Sequence, residues 1–211
     1  YSSIEEMVRE VTPDIVSVCT WHLLHPEPTI AAAKAGVSAI ICEKPMAIGM
    51  GAARSMLSAC EESGTRLVIS HQWRFTPGWE RAREMVLSGT IGNPLFVNCK
   101  VMDGLTNWGT HAIDGARFVL GDPAAQWVMG AVERITDRHE RDVAVEDACL
   151  GLIHMEGDAQ LFIQSDLMQE GAEAGSFLIR GTEGLIDVTE TSIRLMNGEE
   201  AGWRDIELNF D

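Results

Sequence analysis

The first third of the chain alternates short apolar runs with amphipathic stretches. The apolar runs are rich in β-branched residues, which is typical of strands buried on both faces of a parallel sheet. They lie at residues 15–20, 38–42 and 66–70. The amphipathic stretches predict helices at residues 3–11, 29–35 and 52–63. This strand and helix order predicts a parallel sheet with right-handed crossovers.

The pattern changes after residue 76. Helices are predicted at residues 77–88 and 111–120, the first beginning with Pro77 and ending at Gly89. The remaining sequence consists of short, mostly apolar runs separated by turn residues, which is typical of antiparallel strands. These runs lie at residues 95–101, 126–135, 148–155, 159–167, 176–179, 185–189, 192–196 and 204–208. The sequence therefore predicts a second, open and mostly antiparallel sheet with helices on one side.

Composition narrows the class of protein. The chain has 211 residues, 45% hydrophobic and 23% charged, as in an ordinary globular protein of one or two domains. Its formal net charge of −16 repels phosphate backbones and anionic lipid headgroups. We therefore expect no nucleic-acid partner and no membrane partner. An acidic surface with few lysines is found in proteins from salty habitats, but solubility is the simpler interpretation.

The cysteines indicate a reducing compartment. There are five, an odd number, and no two have metal-ligand spacing. We expect buried, reduced thiols in a cytoplasmic protein, and no metal site. No apolar stretch has the length of a membrane span, and no signal peptide is recognised at the start.

Polar motifs follow two neighbouring predicted strands. Glu43-Lys44-Pro45 comes directly after the strand at 38–42, and Thr20-Trp21-His22-Leu23-Leu24-His25 follows the strand at 15–20. Ligands of open parallel sheets bind beyond the carboxyl ends of the strands. Taken alone, the first motif is better explained as a solvated strand end and the second as a polar loop. Their coincidence at one sheet edge favours a shared site.

A third candidate lies in the second half of the chain. His111 and Asp114 are three residues apart at a predicted helix start, so their side chains share a face. A lone histidine in this position is more often a structural residue than a functional one. This spacing by itself therefore leaves the role of His111 open.

The motifs together resemble the glucose–fructose oxidoreductase/inositol dehydrogenase (Gfo/Idh/MocA) family. The matching segments are residues 14–20 with His25, 32–36, 42–45 (Cys-Glu-Lys-Pro), 71–77 (His-Gln-Trp-Arg-Phe-Thr-Pro), 88–92, the Gly109, His111 and Asp114 cluster, and 181–184 (Gly-Thr-Glu-Gly). They are collinear and cover nearly the whole chain. The resemblance implies an α/β fold: a partial Rossmann parallel sheet at residues 1–74, then an α+β substrate and oligomerisation domain at 75–211.

The resemblance also implies a cofactor, NAD or NADP, and roles for single residues. Lys44 is implied to be catalytic or substrate-orienting, and His111 is implied to be the acid–base group. Asn107, four residues before His111, is grouped with these two as a catalytic residue. Contacts to the cofactor are implied for Thr20, His22, His25, Glu43 and Arg74. The chemistry is consistent with these roles: a histidine accepts the hydroxyl proton, a lysine stabilises developing alkoxide charge, and nicotinamide takes the hydride.

Three features depart from the family pattern. The glycine-rich G-x-G-x-x-G fingerprint is missing, so we expect a chain truncated at its N-terminus, and at its C-terminus too, that binds NAD poorly alone. Asn107 stands where family members often have an acidic residue. This predicts altered substrate contacts, weaker catalysis, or partial substitution by Asp114. Trp21 follows Thr20 at a position where the family usually has proline. Its indole either stacks on a ring of a ligand or packs against the protein as a structural residue.

Three functional hypotheses follow. The leading one is an oxidoreductase that transfers hydride between NAD(P) and a secondary alcohol of a sugar, cyclitol or related polyol. The second is a non-catalytic homologue that binds a dinucleotide or a partner protein, and Asn107 and the missing fingerprint favour it. The third is a glycosidase-like or lyase activity through transient oxidation. An uncovered apolar face of the second sheet predicts a homo-oligomer, a dimer or tetramer.

Overall fold

The computed structural model describes residues 1, 3–101, 104–166, 177–199 and 201–208. It divides the chain into two compact units, Tyr1–His71 and Gln72–Asp211, close to the boundary expected after residue 74. The predicted strands at 159–167 and 176–179 each extend by one residue into segments outside the described residues.

The first unit is a three-stranded parallel sheet with the order β1-β2-β3 and three helices. The strands are β1 (Ile15–Val18), β2 (Ala39–Glu43) and β3 (Arg66–Ser70), and the helices are α1 (Ile4–Val11), α2 (Pro26–Lys34) and α3 (Met50–Ser63). This confirms the predicted parallel sheet. Helix α2 begins earlier than predicted, because Pro26 has a fixed φ angle that suits the first turn of a helix.

The parallel sheet buries one face only. Val16 and Val18 pair with Ile40 and Cys42, and all four pack with buried residues of the three helices. The opposite face carries apolar side chains that are about half exposed: Ile15, Ile41 and Val68. The expectation of strands buried on both faces is therefore wrong for the described residues, because the buried side chains of α1, α2 and α3 gather on one side.

The second unit is built on an eight-stranded sheet with the order β13-β12-β11-β10-β4-β9-β8-β5. Its strands are β4 (Pro94–Lys100), β5 (Ala125–Glu133), β8 (Ala148–Met155), β9 (Gln160–Asp166), β10 (Phe177–Gly181), β11 (Gly184–Val188), β12 (Ile193–Asn197) and β13 (Arg204–Asp205). Strands β4 and β9 run parallel, and the other neighbouring pairs are antiparallel. The mostly antiparallel sheet is confirmed. An unpredicted small hairpin, β6 (His139–Glu140) with β7 (Val143–Ala144), lies between β5 and β8.

Two helices cover one face of this sheet. They are α4 (Pro77–Leu87) and α5 (Gly109–Val119), and their buried residues pack with Phe177, Leu161 and other inward side chains of the strands. The opposite face exposes Trp127, Met129 and Leu150, with exposed fractions of 46%, 60% and 51%. An uncovered apolar face was expected from the sequence, and the structure has one.

The helices are short. The longest, α3, has 14 residues, whereas a helix needs about 20 apolar residues to cross a bilayer. Among the described residues, no helix combines the length and apolar character that a membrane span requires.

Candidate functional site

The loops after β1 and β2 leave the same edge of the parallel sheet. Val18 at the end of β1 pairs with Cys42 near the end of β2, in parallel register. Thr20 and Lys44 therefore follow neighbouring strands at their carboxyl ends, where α/β sheets bind ligands. The structure therefore places these two predicted residues at one edge of the sheet.

His25 links these two loops. Its side chain is 1% exposed, with Nδ1 lying 2.9 Å from the carbonyl oxygen of Pro45 and Nε2 lying 2.8 Å from that of Thr20. Carbonyl oxygens only accept hydrogen bonds, so a ring nitrogen that carries hydrogen donates to the carbonyl that it faces. His25 thus fixes the loop of Lys44 against the loop of Thr20. Its contact with a cofactor stays a prediction.

The other predicted residues of this edge differ in burial. His22 is 2% exposed within a short 3-10 turn, so its ring is part of the packing of the loop. Thr20 is exposed, and Glu43 and Lys44 are half-buried. The accessible groups at the sheet edge are therefore a hydroxyl, a carboxylate and an ammonium, which suit a polar ligand.

His111 lies in the first turn of α5 and is 3% exposed. Its ring stacks on Trp73 with centroids 4.6 Å apart and an angle of 17° between the planes. Trp73 stacks in turn on the buried ring of Trp79, with centroids 5.6 Å apart. The aromatic stack holds the imidazole plane in one orientation, which an acid–base group requires. Neither tryptophan was predicted as a site residue from the sequence, although Trp73 lies within the matched segment 71–77.

Gly115 gives the stack room. A methyl group at this position of α5 would lie 3.3 Å from Phe177 and 3.6 Å from Trp73. A larger residue would therefore push Trp73 away from the helix that carries His111.

Asn107 contacts a carboxylate that was not predicted from the sequence. Its side chain is 3% exposed, and its Nδ2 donates a hydrogen bond to Oε1 of Glu140 in the small hairpin. Next to it, the backbone N–H of Leu105 donates to Oε1 of Glu146 at 2.5 Å. Two carboxylates in the segment between β5 and β8, those of Glu140 and Glu146, thus hold the turn that precedes α5.

Arg74 binds Asp114 through two parallel hydrogen bonds. Nε and one terminal nitrogen lie 2.7 and 2.6 Å from the two carboxylate oxygens, and the latter nitrogen also lies 2.8 Å from Asp122. The hydrogen bonding to Asp114 raises the pKa of the Arg74 guanidinium above its ordinary value. Asp114 therefore takes part in an ion pair with Arg74. The carboxylate that contacts Asn107 is that of Glu140. A cofactor or substrate contact of Arg74 stays a prediction.

Arg74→Lys is expected to lower the free energy of unfolding by about 1–2 kcal/mol, because lysine cannot form both parallel hydrogen bonds. Thermal unfolding of the full-length protein measures the change. Arg81→Lys is the matched control, since Arg81 forms an exposed ion pair with Glu84. Equal unfolding temperatures for the two variants would contradict the anchoring role of Arg74.

Family models match both units of the chain. A model described as an oxidoreductase family with an NAD-binding Rossmann fold matches residues 1–71, and the GFO/IDH/MocA C-terminal domain matches residues 103–187. The 1,5-anhydro-D-fructose reductase of Ensifer adhaerens is 30% identical over 202 residues, covering 87% of this chain and 59% of that protein. The D-glucoside 3-dehydrogenase of Escherichia coli K12 is 29% identical over 190 residues, covering 76% and 54%.

The fold is also that of solved structures. An inositol dehydrogenase homologue from Azotobacter vinelandii, complexed with NADH and myo-inositol, superposes with a TM-score of 0.85 and 17% identity, covering 100% of this chain and 62% of that one. The chain thus spans less than two thirds of the length of each of these relatives. The two family models match in order, one to each unit, and the chain belongs to the Gfo/Idh/MocA family of oxidoreductases.

Proposed function

We propose that the protein containing this chain is an NAD(P)-dependent oxidoreductase that transfers hydride between nicotinamide and a secondary alcohol of a sugar, cyclitol or related polyol. The observation that carries the proposal is His111, a buried imidazole stacked on Trp73 at the start of α5. The named relatives support it, since they are a reductase and a dehydrogenase of sugars.

The carboxyl edge of the parallel sheet fits a dinucleotide. Its two loops are joined through His25 and leave polar groups accessible. Thr20 and Glu43 would contact the cofactor, His22 and His25 would fix the loops that shape its site, and Arg74 would contact the cofactor or the substrate. The bound nicotinamide supplies the hydride acceptor.

One side chain transfers the proton in this reaction, and another stabilises the negative charge that develops. His111 takes the hydroxyl proton of the alcohol as the carbon loses hydride, and gives it back in the reverse direction. Lys44 stabilises the negative charge that develops on an oxygen of the substrate as the proton leaves. Asn107, in the turn four residues before His111, would contact the substrate. Activity with a panel of polyols and both nucleotides, followed by absorbance of the reduced nicotinamide, tests the proposal in the full-length protein.

The position of the cofactor has a test that does not depend on turnover. Cys19 is exposed, whereas the other four cysteines are buried, and burial raises the pKa of the Cys42 thiol to about 11. Because the thiolate is the reactive form, iodoacetamide is expected to label Cys19 first. Cys19 directly precedes Thr20, so NAD or NADP at saturation is expected to slow this labelling severalfold in mass spectra of the full-length protein. A rate unchanged by a nucleotide that binds would contradict the proposed cofactor position.

We also propose that the protein is a dimer or tetramer formed through the outer face of the eight-stranded sheet. This face presents Trp127, Met129 and Leu150 to solvent side by side on β5 and β8. Exposed apolar patches of this kind mark association surfaces. Met129→Glu is expected to lower the mass in light scattering after gel filtration, whereas Leu57→Glu on α3 serves as the exposed apolar control. An unchanged mass would contradict this interface.

A cytoplasmic location is part of the proposal. All five cysteines are free, and four of them are buried without a disulfide partner. Free thiols in this number are typical of proteins in a reducing compartment.

A further inference from the structure

The imidazole of His111 belongs to a stack of aromatic rings. Its centroid lies 4.6 Å from that of Trp73 with 17° between the planes, and the rings of Trp73 and Trp79 lie 5.6 Å apart with planes only 4° from parallel. Trp73 lies in the 3-10 turn Gln72–Phe75, and Trp79 lies in the first turn of α4. The stack therefore joins the segment before α4 to the start of α5, which carries His111.

Two further residues define the position of the Trp73 ring. The ring of Phe177 meets Trp73 and Trp79 edge-on, with centroids 6.3 and 4.3 Å away. Gly115, one turn after His111 on α5, leaves room for the indole, since a Cβ atom there would lie 3.6 Å from Cε3 of Trp73. Stacked and edge-to-face contacts are the favoured geometries of aromatic rings. The indole of Trp73 is thus held in one plane.

The indole of Trp79 is present at a cost to stability. Trp79 is 0% exposed, and its Nε1–H has no hydrogen-bond acceptor among the described residues. A buried donor without an acceptor destabilises the folded state, whereas phenylalanine would fill most of the same space without that penalty. Departures from a local rule of this kind are expected at functional sites. The large flat ring at this position serves the stack to which His111 belongs.

An indole stacked on an imidazole has two effects on proton transfer. Stacking restricts rotation of the His111 ring, and a proton acceptor must keep its nitrogen within hydrogen-bond reach of the proton. When His111 takes the hydroxyl proton it becomes a cation, and the face of an indole attracts a cation within about 6 Å of its centroid. The separation of 4.6 Å satisfies this condition. Both effects depend on the contact between Trp73 and His111, so each is lost when either ring is removed.

We propose that Trp73 is a positioning residue of the reaction, which holds the imidazole of His111 and stabilises the cation that His111 becomes, and that Trp79 supports Trp73 in this role. The proposal rests on the proposed function, because it needs His111 as the acid–base group. In the oxidation step the hydroxyl proton goes to His111, the hydride goes to the nicotinamide, and the alcohol carbon becomes a carbonyl. Trp73 therefore exchanges no atom with the substrate and acts only through His111.

Substitutions in the full-length protein test the two tryptophans. Trp73→Leu is expected to lower kcat for polyol oxidation by about 10–100-fold, as misplacing a catalytic group does, and to leave the KM values of polyol and nucleotide within about twofold. Trp73→Phe keeps an aromatic ring and is expected to recover most of this loss. Trp79→Phe is expected to lower kcat about threefold or more while shifting the unfolding temperature by only a few degrees. This last variant keeps the test available if Trp73→Leu does not fold.

A double variant separates positioning from packing. In the His111→Ala background there is no imidazole for Trp73 to position, so adding Trp73→Leu is expected to change the residual rate by less than about twofold. Single-turnover rates with the protein in excess keep this residual rate measurable. A purely structural role of Trp73 would lower the rate in both backgrounds by the same factor.

Trp203→Leu is the matched control, because Trp203 is a partly exposed tryptophan whose ring faces Arg194. It is expected to leave kcat and both KM values unchanged. Equal effects of Trp73→Leu with and without His111, or a Trp73→Phe variant as impaired as Trp73→Leu, overturn the positioning role while the proposed function stands. Wild-type kcat in Trp79→Phe overturns the supporting role of Trp79. A full-length wild-type protein that binds nucleotide but oxidises no polyol overturns both the positioning role and the proposed function.

Discussion

His111→Ala in the full-length protein is expected to lower kcat for polyol oxidation by about 10²–10⁴-fold, the usual contribution of a positioned general base. The imidazole is buried and stacked on Trp73, so alanine removes the proton acceptor without removing the aromatic stack that supports it. The KM for the nucleotide is expected to change little. Steady-state kinetics with the best polyol of the panel measures the effect.

His139→Ala is the control for this variant. His139 is a half-exposed histidine of the small hairpin whose Nδ1 contacts the carbonyl oxygen of Asp137. Its removal is expected to leave kcat within about twofold of wild type, as is usual for surface positions without a special role. A His111→Ala variant with wild-type kcat would show that another group moves the proton.

Lys44→Ala is the second large effect that we expect, a loss of about 10²–10³-fold in kcat/KM. The ammonium group is half-buried at the carboxyl edge of the parallel sheet, directly before Pro45, whose carbonyl oxygen contacts His25. A positive charge fixed in this way stabilises an alkoxide without having to reorganise during the reaction. Rates of nicotinamide reduction across polyol concentrations give the value.

Lys34→Ala is the matched control for Lys44, since Lys34 is an exposed lysine at the end of α2. A Lys44→Arg variant keeps the charge on a planar group and is expected to recover only part of the loss, because the two side chains present different donor geometries. Equal kcat/KM values for Lys44→Ala and Lys34→Ala would exclude a role of Lys44 in the reaction.

Much of the fold is predictable because it depends on local patterns. The run of β-branched residues at Ile15–Val18 and the mostly apolar run at Ala148–Met155 each identify a strand within a few residues of its bounds. Exposure of Ile15 and Ile41 was not predictable, since an apolar run does not tell how many layers cover a sheet. The small hairpin was missed because its turn contains Arg141 and Asp142 at φ angles of 49° and 68°, without the glycine that usually marks such turns.

The candidate site, like the fold, was predictable from the sequence only in part. Lys44 and His111 were proposed because short motifs surround them in the sequence. The partner of Asn107 was not, because its contact with Glu140 joins positions 33 residues apart through that unpredicted hairpin. The sequence also grouped Asp114 with His111 on one helix face, whereas the structure shows both Asp114 oxygens accepting from Arg74. Neither ion pairs nor amide contacts between distant segments follow from spacing along the chain.

The contact of Asn107 with Glu140 also bears on the second hypothesis, that of a non-catalytic homologue. That hypothesis drew support from an uncharged residue where an acidic one was expected. The structure shows a carboxylate, Glu140, hydrogen-bonded to that same side chain. Asn107 therefore no longer argues for a protein without catalytic activity.

Transfer of deuterium tests hydride transfer most directly. The full-length protein is incubated with NAD or NADP and a polyol deuterated at its carbinol carbons, and the nucleotide is analysed by mass spectrometry. We expect one deuterium in the reduced nicotinamide with the wild-type protein, and almost none with His111→Ala or Lys44→Ala over the same time. A wild-type protein that binds the nucleotide and leaves it unlabelled with every polyol of the panel would contradict the proposed oxidoreductase function.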